Sequence, residues 1–199
     1  MPKVLDHEQR QRHIVEAVWR IVAAGGLHEA TVRRVADEAG ISVGSLRNSF
    51  PTQTSLYECA MRSLMESVER QIDEKASGVR GSSEDVAIDL LLSFVPLDDE
   101  QAKTLSVWLA FSVEAQRDAA LRPLNDEVFD KTRTYLTSLL AQLAEDGIVS
   151  RSLDVADEAA RLHALLDGLT LHRLTRPDVV GPEQVVDVLR AHLACLHVD

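Results

Sequence analysis

The sequence predicts an all-α protein in two parts: a three-helix head carrying a helix-turn-helix, and a larger helical bundle, about nine helices in all. Three observations carry this. Apolar residues recur at three- and four-residue spacing through nearly the whole chain, with no sustained alternation. Glycine and proline interrupt that pattern where helices should end. Residues 31–50, TVRRVADEAGISVGSLRNSF, read as two short helices joined by a glycine turn.

The first helix is expected from about Asp6 to Ala24, with Ile14, Val15, Val18 and Val22 on its inner face and Gly25-Gly26 ending it. Thr31 is placed to cap a second helix whose buried stripe is Val32, Val35, Ala36 and Ala39. Gly40 suits the left-handed residue that closes it. Ser42 caps a third helix of about two turns, with Leu46 and Phe50 inward, and Pro51 stops it. Thr54 is the expected cap of a long fourth helix reaching about Ala76, with Leu56, Ala60, Leu64, Val68 and Ile72 inside. SGVRGSS (77–83) reads as a linker, and Ser82 or Ser83 starts a fifth helix through Phe94, broken by Pro96. A sixth helix spans about Asp98 to Arg117, a seventh Pro123 to Glu145 before Gly147, an eighth Asp154 to Leu174 before Pro177, and the last Pro182 to His197. The head is drawn as residues 1–53 and the body as 54–199.

At 199 residues, 45% hydrophobic and 27% charged, the composition is that of a globular protein with a sizeable core. No run approaches the ~18 apolar residues of a membrane span, and the N-terminus has no apolar leader. Cys59 and Cys195 sit far apart in apolar helical patterns and read as buried thiols. Together these predict a cytoplasmic protein without membrane contact. The net charge of −11 is uneven. Residues 1–53 hold seven Lys/Arg against six Asp/Glu, and the remainder fourteen against twenty-six. Only charges within about 10 Å of a phosphate escape screening, so the acidic body does not veto a head that meets DNA.

Burying Leu46 and Phe50 turns Gly44 and Asn48 outward, flanked by Val43, Ser45 and Arg47. That face suits a major groove. Arg47 can fork onto guanine or a phosphate, Asn48 can pair with adenine, Val43 can touch a thymine methyl, and Gly44 clears space for close approach. Thr31, Arg33 and Ser42 stand at helix starts, where phosphates are held.

With the Gly-Gly before Thr31, the run TVRRVADEAGIS, then GSLRNSF, a proline and the helix near TSLYECAM, residues 8–62 resemble the DNA-binding domain of the TetR family of bacterial repressors. The resemblance implies a connecting fourth helix and a C-terminal part that dimerises and binds a small-molecule effector. VWLAFSVEAQRDAALRPLNDEVF, LHALLDGLTLHRL and AHLACL make the body similar to the betaine-inhibitor-repressor subclass. Three positions depart from the family pattern. Arg47 and Asn48 replace a frequent tyrosine and histidine, and Gln53 replaces a frequent lysine at the phosphate backbone. Losing that lysine predicts a shallower salt dependence.

In the body, Val186, Leu189, Leu193 and Leu196 form a stripe on the last helix, and Leu162, Leu166 and Leu169 lie on an eighth helix apolar on more than one side. These seven are the expected homodimer seam. Phe94, Trp108, Phe111, Tyr135, His163 and Asp167 are the expected effector pocket, an apolar wall with a few polar groups. His163 and Asp167 alone make a weak metal site, and no GxGxxG, Walker, HExxH or GxSxG pattern occurs. No cofactor, metal or catalytic residue is therefore expected. The function predicted is a ligand-responsive regulator, most simply a repressor, bound to a near-palindromic operator as a homodimer and released by its effector. Two alternatives stay open: a helical small-molecule-binding dimer without specific DNA binding, and an all-helical enzyme.

Overall fold

The computed structural model describes residues 2–78 and 83–197. Among them are nine α-helices and no strand. In chain order these are α1 (Pro2–Gly25), α2 (Val32–Glu38), α3 (Val43–Ser49), α4 (Gln53–Gly78), α5 (Ser83–Leu91), α6 (Asp99–Glu114), α7 (Arg122–Glu145), α8 (Val155–Thr175) and α9 (Pro182–Cys195). Single 3-10 turns, Leu27–Glu29 and Leu92–Phe94, follow α1 and α5. The linker read at 77–83 centres on residues 79–82, which lie outside the described residues, as does the cap read at Ser82.

Local chemistry sets most boundaries. Thr31 and Ser42 are extended residues whose hydroxyls accept the N–H groups of Arg34 and Ser45. Gly40 (φ 64°) ends α2, and the Ile41 N–H closes back onto the Ala36 carbonyl, which satisfies a carbonyl the helix leaves open. Gly147 (φ 74°) ends α7 the same way, with Ile148 donating to Leu143. At α4 the cap is Thr52 rather than Thr54. Its hydroxyl accepts from the Ser55 N–H while the Ser55 hydroxyl accepts from the Thr52 N–H, a reciprocal box that starts the helix two residues earlier. Thr54 instead donates to Asp118 at 3.3 Å. The sixth helix stops at Glu114, short of the expected Arg117, and the Asp118 carboxylate accepts from the Ala120 N–H in the turn that follows.

The chain forms two compact units. The first joins Met1–Ser67 to Lys103–Asp126 and the second joins Val68–Ala102 to Glu127–Asp199, so α4, α6 and α7 each contribute to both. These units follow contacts, whereas the division at residue 53 follows an expected division of labour. In the first unit, Ile14, Val15, Val18 and Val22 of α1 are buried with Val35, Ala36, Leu46, Phe50, Leu56 and Phe111. Val32 is only half-buried, because it lies at the first turn of α2. The Trp19 indole donates to the Ala60 carbonyl and the Tyr57 hydroxyl to the Leu27 carbonyl, tying α4 to α1 and to the turn after it. The second unit's core draws Ile88, Leu91, Leu136, Leu140, Leu162, Leu166, Leu189 and Leu193 from four helices, α5, α7, α8 and α9. Both cysteines are free thiols, but Cys195 is exposed, because it falls between the inward Leu193 and Leu196 on the outer side of α9.

Candidate nucleic-acid interface

The head presents the face expected of it. Leu46 and Phe50 point into the core, while Ser42, Gly44, Arg47 and Asn48 are exposed and Val43 and Ser45 half-buried on α3. A Cβ on Gly44 would find only Ser42 Oγ, at 3.9 Å, so nothing inside the chain demands glycine there. Thr31 and Arg33 are exposed at the start of α2. The capping hydroxyls of Thr31 and Ser42 accept one N–H each and keep their own hydrogen to donate.

The basic residues divide into committed and open ones. Arg34 engages Glu29, and Arg20 Nε lies 2.8 Å from Glu38. Among the described residues Arg33 and Arg47 pair with no carboxylate. Gln53 is exposed, but its amide N–H donates to the Tyr57 hydroxyl, which passes its own hydrogen to Leu27 at 2.8 Å. Burial, and to a smaller degree the charge of Glu114, pushes the Tyr57 phenol up and keeps it a donor. One of the two Gln53 amide hydrogens is therefore turned inward, a role that its position alone did not reveal.

The six residues of the expected pocket are divided between the two units. Phe94 and Tyr135 pair at 5.6 Å between ring centroids, and burial pushes the Tyr135 hydroxyl up to about 12. His163 and Asp167 belong to a second group with two residues of α7 outside those six, Phe129 and Arg133. Arg133 Nε donates to His163 Nδ1 at 3.4 Å, its guanidinium lies 5.3 Å from the Phe129 centroid, and Phe129 stacks obliquely on His163 at 4.7 Å. Burial, then the charge of Arg133, pushes His163 down. Since Nδ1 accepts, the neutral ring carries its proton on Nε2, 3.9 Å from Asp167 Oδ1. That distance and a neutral ring make this contact no ion pair. Burial lifts Asp167 to about 6 against the lowering pull of Arg133. Phe111 and Trp108 belong to the first unit, where Phe111 is buried and Trp108 half-buried. No group of three His, Cys, Asp or Glu among the described residues is arranged to hold a metal ion.

The residues of the expected dimer seam are mostly covered within the single chain. Leu162, Leu166, Leu169, Leu189, Leu193 and Leu196 are buried inside the protomer's own core, and only Val186 is half-exposed. The opposite sides of the same helices are what one chain leaves uncovered: Ala164 and Leu171 on α8, the latter 45% exposed, and Ala191, Ala194 and Cys195 on α9. Buried Glu158 also links the two helices, with Oε1 3.3 Å from His192 Nε2 and Oε2 3.0 Å from Arg161.

A braced helix-turn-helix with its polar side outward, on an otherwise helical chain, defines a helix-turn-helix regulator. More particularly, the chain belongs to the TetR family: residues 14–59 match the bacterial regulatory proteins of the tetR family, and residues 84–197 match the C-terminal part of BetI-type transcriptional repressors. The HTH-type transcriptional regulator PksA of Bacillus subtilis (strain 168) is 34% identical over 199 residues, spanning 100% of this chain and 95% of that protein. A transcriptional regulator from Rhodococcus sp. Rha1 superposes with a TM-score of 0.82 at 25% identity, covering 94% of this chain and 95% of its own. A protein from Saccharomonospora viridis, described as a transcriptional regulator and solved in complex with choline, superposes at 0.78 with 25% identity, covering 94% and 95%. No described helix is long and apolar enough to cross a membrane.

Proposed function

We propose that this transcriptional regulator is a repressor that reads a near-palindromic operator as a homodimer and lets go when a small molecule binds its second unit. Residues 1–53 act as the reading domain and residues 54–199 as the effector-binding and dimerising part, working in the cytoplasm where the DNA is. The observation that carries this is the outer side of α3, where Gly44, Arg47 and Asn48 are exposed and the open space beside Gly44 has no internal use. Arg47 and Asn48 supply forked donors for base edges, and Thr31, Arg33, Ser42, Val43 and Ser45 flank them for phosphate and methyl contact. Dimerisation follows from the reading geometry, because two α3 helices must enter successive major grooves roughly 34–36 Å apart. The apolar sides of α8 and α9 that one chain leaves open, around Ala164, Leu171, Ala191 and Ala194, are the surface for the second copy.

Release needs only differential affinity. An effector that binds the non-reading state about tenfold better shifts the equilibrium by ~1.4 kcal/mol. α4 contributes to both units and is the covalent path for that shift. The Saccharomonospora viridis protein was solved with choline, and what carries over to this chain is a small-molecule site in the body. Selection of full-length protein on random duplex DNA tests the reading. Enrichment of one sequence with two inverted halves, one helical turn between their centres, is expected. Recovery of a pool without common sequence contradicts it.

A further inference from the structure

Helices α7 and α8 each offer two residues one turn apart, Phe129 with Arg133 and His163 with Asp167, and these meet in one group. Two arginines of the second unit are half-buried among the described residues. Arg173 is satisfied by oxygen, donating to the Pro96 carbonyl at 2.9 Å and the Val180 carbonyl at 2.6 Å. Arg133 has only the His163 nitrogen for its Nε–H, and both its terminal nitrogens carry no hydrogen bond among the described residues. Asp167 feels its charge without forming an ion pair with it. Those terminal nitrogens are not buried and reach solvent, and a guanidinium held by its Nε side presents them as a fork that matches a carboxylate. Phe129, 50% exposed, supplies an apolar platform beneath.

The same geometry disfavours a cation. A quaternary ammonium needs an aromatic face, and here the protein's own guanidinium already lies over Phe129 and would repel a second positive charge. A dianion is disfavoured too, since one arginine faces it while Asp167 stands beside it in a strongly acidic body. We propose that Arg133, laid over Phe129 and oriented by His163, receives the carboxylate of a small organic monoanion with an apolar body, and that this class, not a quaternary ammonium, is the effector. This rests on the reading of the chain as an effector-responsive regulator, and it assigns charge and class to that effector.

Calorimetric titration of the full-length protein tests it, with monocarboxylates from butyrate to decanoate and phenylacetate, against phenyl phosphate and choline. Saturable binding of a carboxylate is expected, weakened at least about tenfold in Arg133→Gln with unchanged circular dichroism. Asp167→Asn is expected to tighten the same carboxylate several-fold by removing a like charge, whereas a cation site would be weakened by that change. Choline bound more tightly than every carboxylate, equal carboxylate binding by Arg133→Gln, or no binding by any member of the panel would overturn the proposal. DNA anisotropy with and without the carboxylate separates the two claims. Arg133-dependent binding that leaves DNA affinity unchanged keeps the anion site and refutes the effector role.

Discussion

Replacing Gly44 with alanine separates folding from DNA contact. A Cβ there meets only Ser42 Oγ at 3.9 Å, and alanine favours a helix by roughly 0.5–1 kcal/mol over glycine. The variant should melt slightly higher yet bind its operator less tightly, and unchanged affinity would remove Gly44 from the interface. Arg47→Ala should cost ~1–3 kcal/mol and relax preference at one base pair. An even loss across sequences would reassign Arg47 to a phosphate. Asp167 gives a pH signature. Its carboxyl is raised from 3.8 to about 6, so the folded state holds a proton that the unfolded state releases between those values. Stability from this group is present below pH 4 and lost as pH rises through 6. Asp167→Asn should therefore raise the unfolding free energy at pH 7 and not at pH 4, by no more than about 1 kcal/mol given partial solvent screening. His163 works oppositely, since its lowered value means stability is lost as pH falls below 6.5. The outward face of α3 was legible in the sequence because Leu46 and Phe50 fix it by periodicity. Arg133 was not, because its role depends on α7 lying against α8, which no spacing within one helix encodes.

At the scale of elements, caps and turns were legible where one residue type suits one backbone geometry: Thr31, Ser42, Gly40 and Gly147 all hold the expected positions. Thr52 and Thr54 are both suitable hydroxyls, and Ser55 decides between them by returning the bond to Thr52. The stripes on α8 and α9 were read correctly as apolar, but periodicity says which side is buried and not what covers it. Their leucines went to the protomer's own core. The Gln53–Tyr57–Leu27 chain fastens the start of α4. Tyr57→Phe should lower stability by about 0.5–1.5 kcal/mol in denaturant unfolding, a modest loss because the Leu27 carbonyl also accepts from the Ala30 N–H.

For the whole molecule, the distribution of paired and open arginines sets the salt dependence. Arg33, placed at a phosphate and present twice in a dimer, gives a log–log slope of about −1.8, and Arg47 adds about as much again only if it holds a phosphate instead of a base. Glu29→Gln frees Arg34 and should steepen that slope by about 1.8 per dimer. An unchanged slope would mean Arg34 stays clear of DNA even when released. The acidic remainder contributes no phosphate contact in this account and limits sticking to random sequence.

The central claim, that this regulator reads a specific operator through α3, is tested most directly by fluorescence anisotropy of labelled DNA from the region upstream of its own gene, titrated at two salt concentrations. The account predicts saturable binding that random DNA cannot compete away and that weakens with salt along the slope above. Binding no tighter than to random DNA, there and in the neighbouring intergenic segments, would contradict it and leave the small-molecule site proposed for the second unit as the place to look for function.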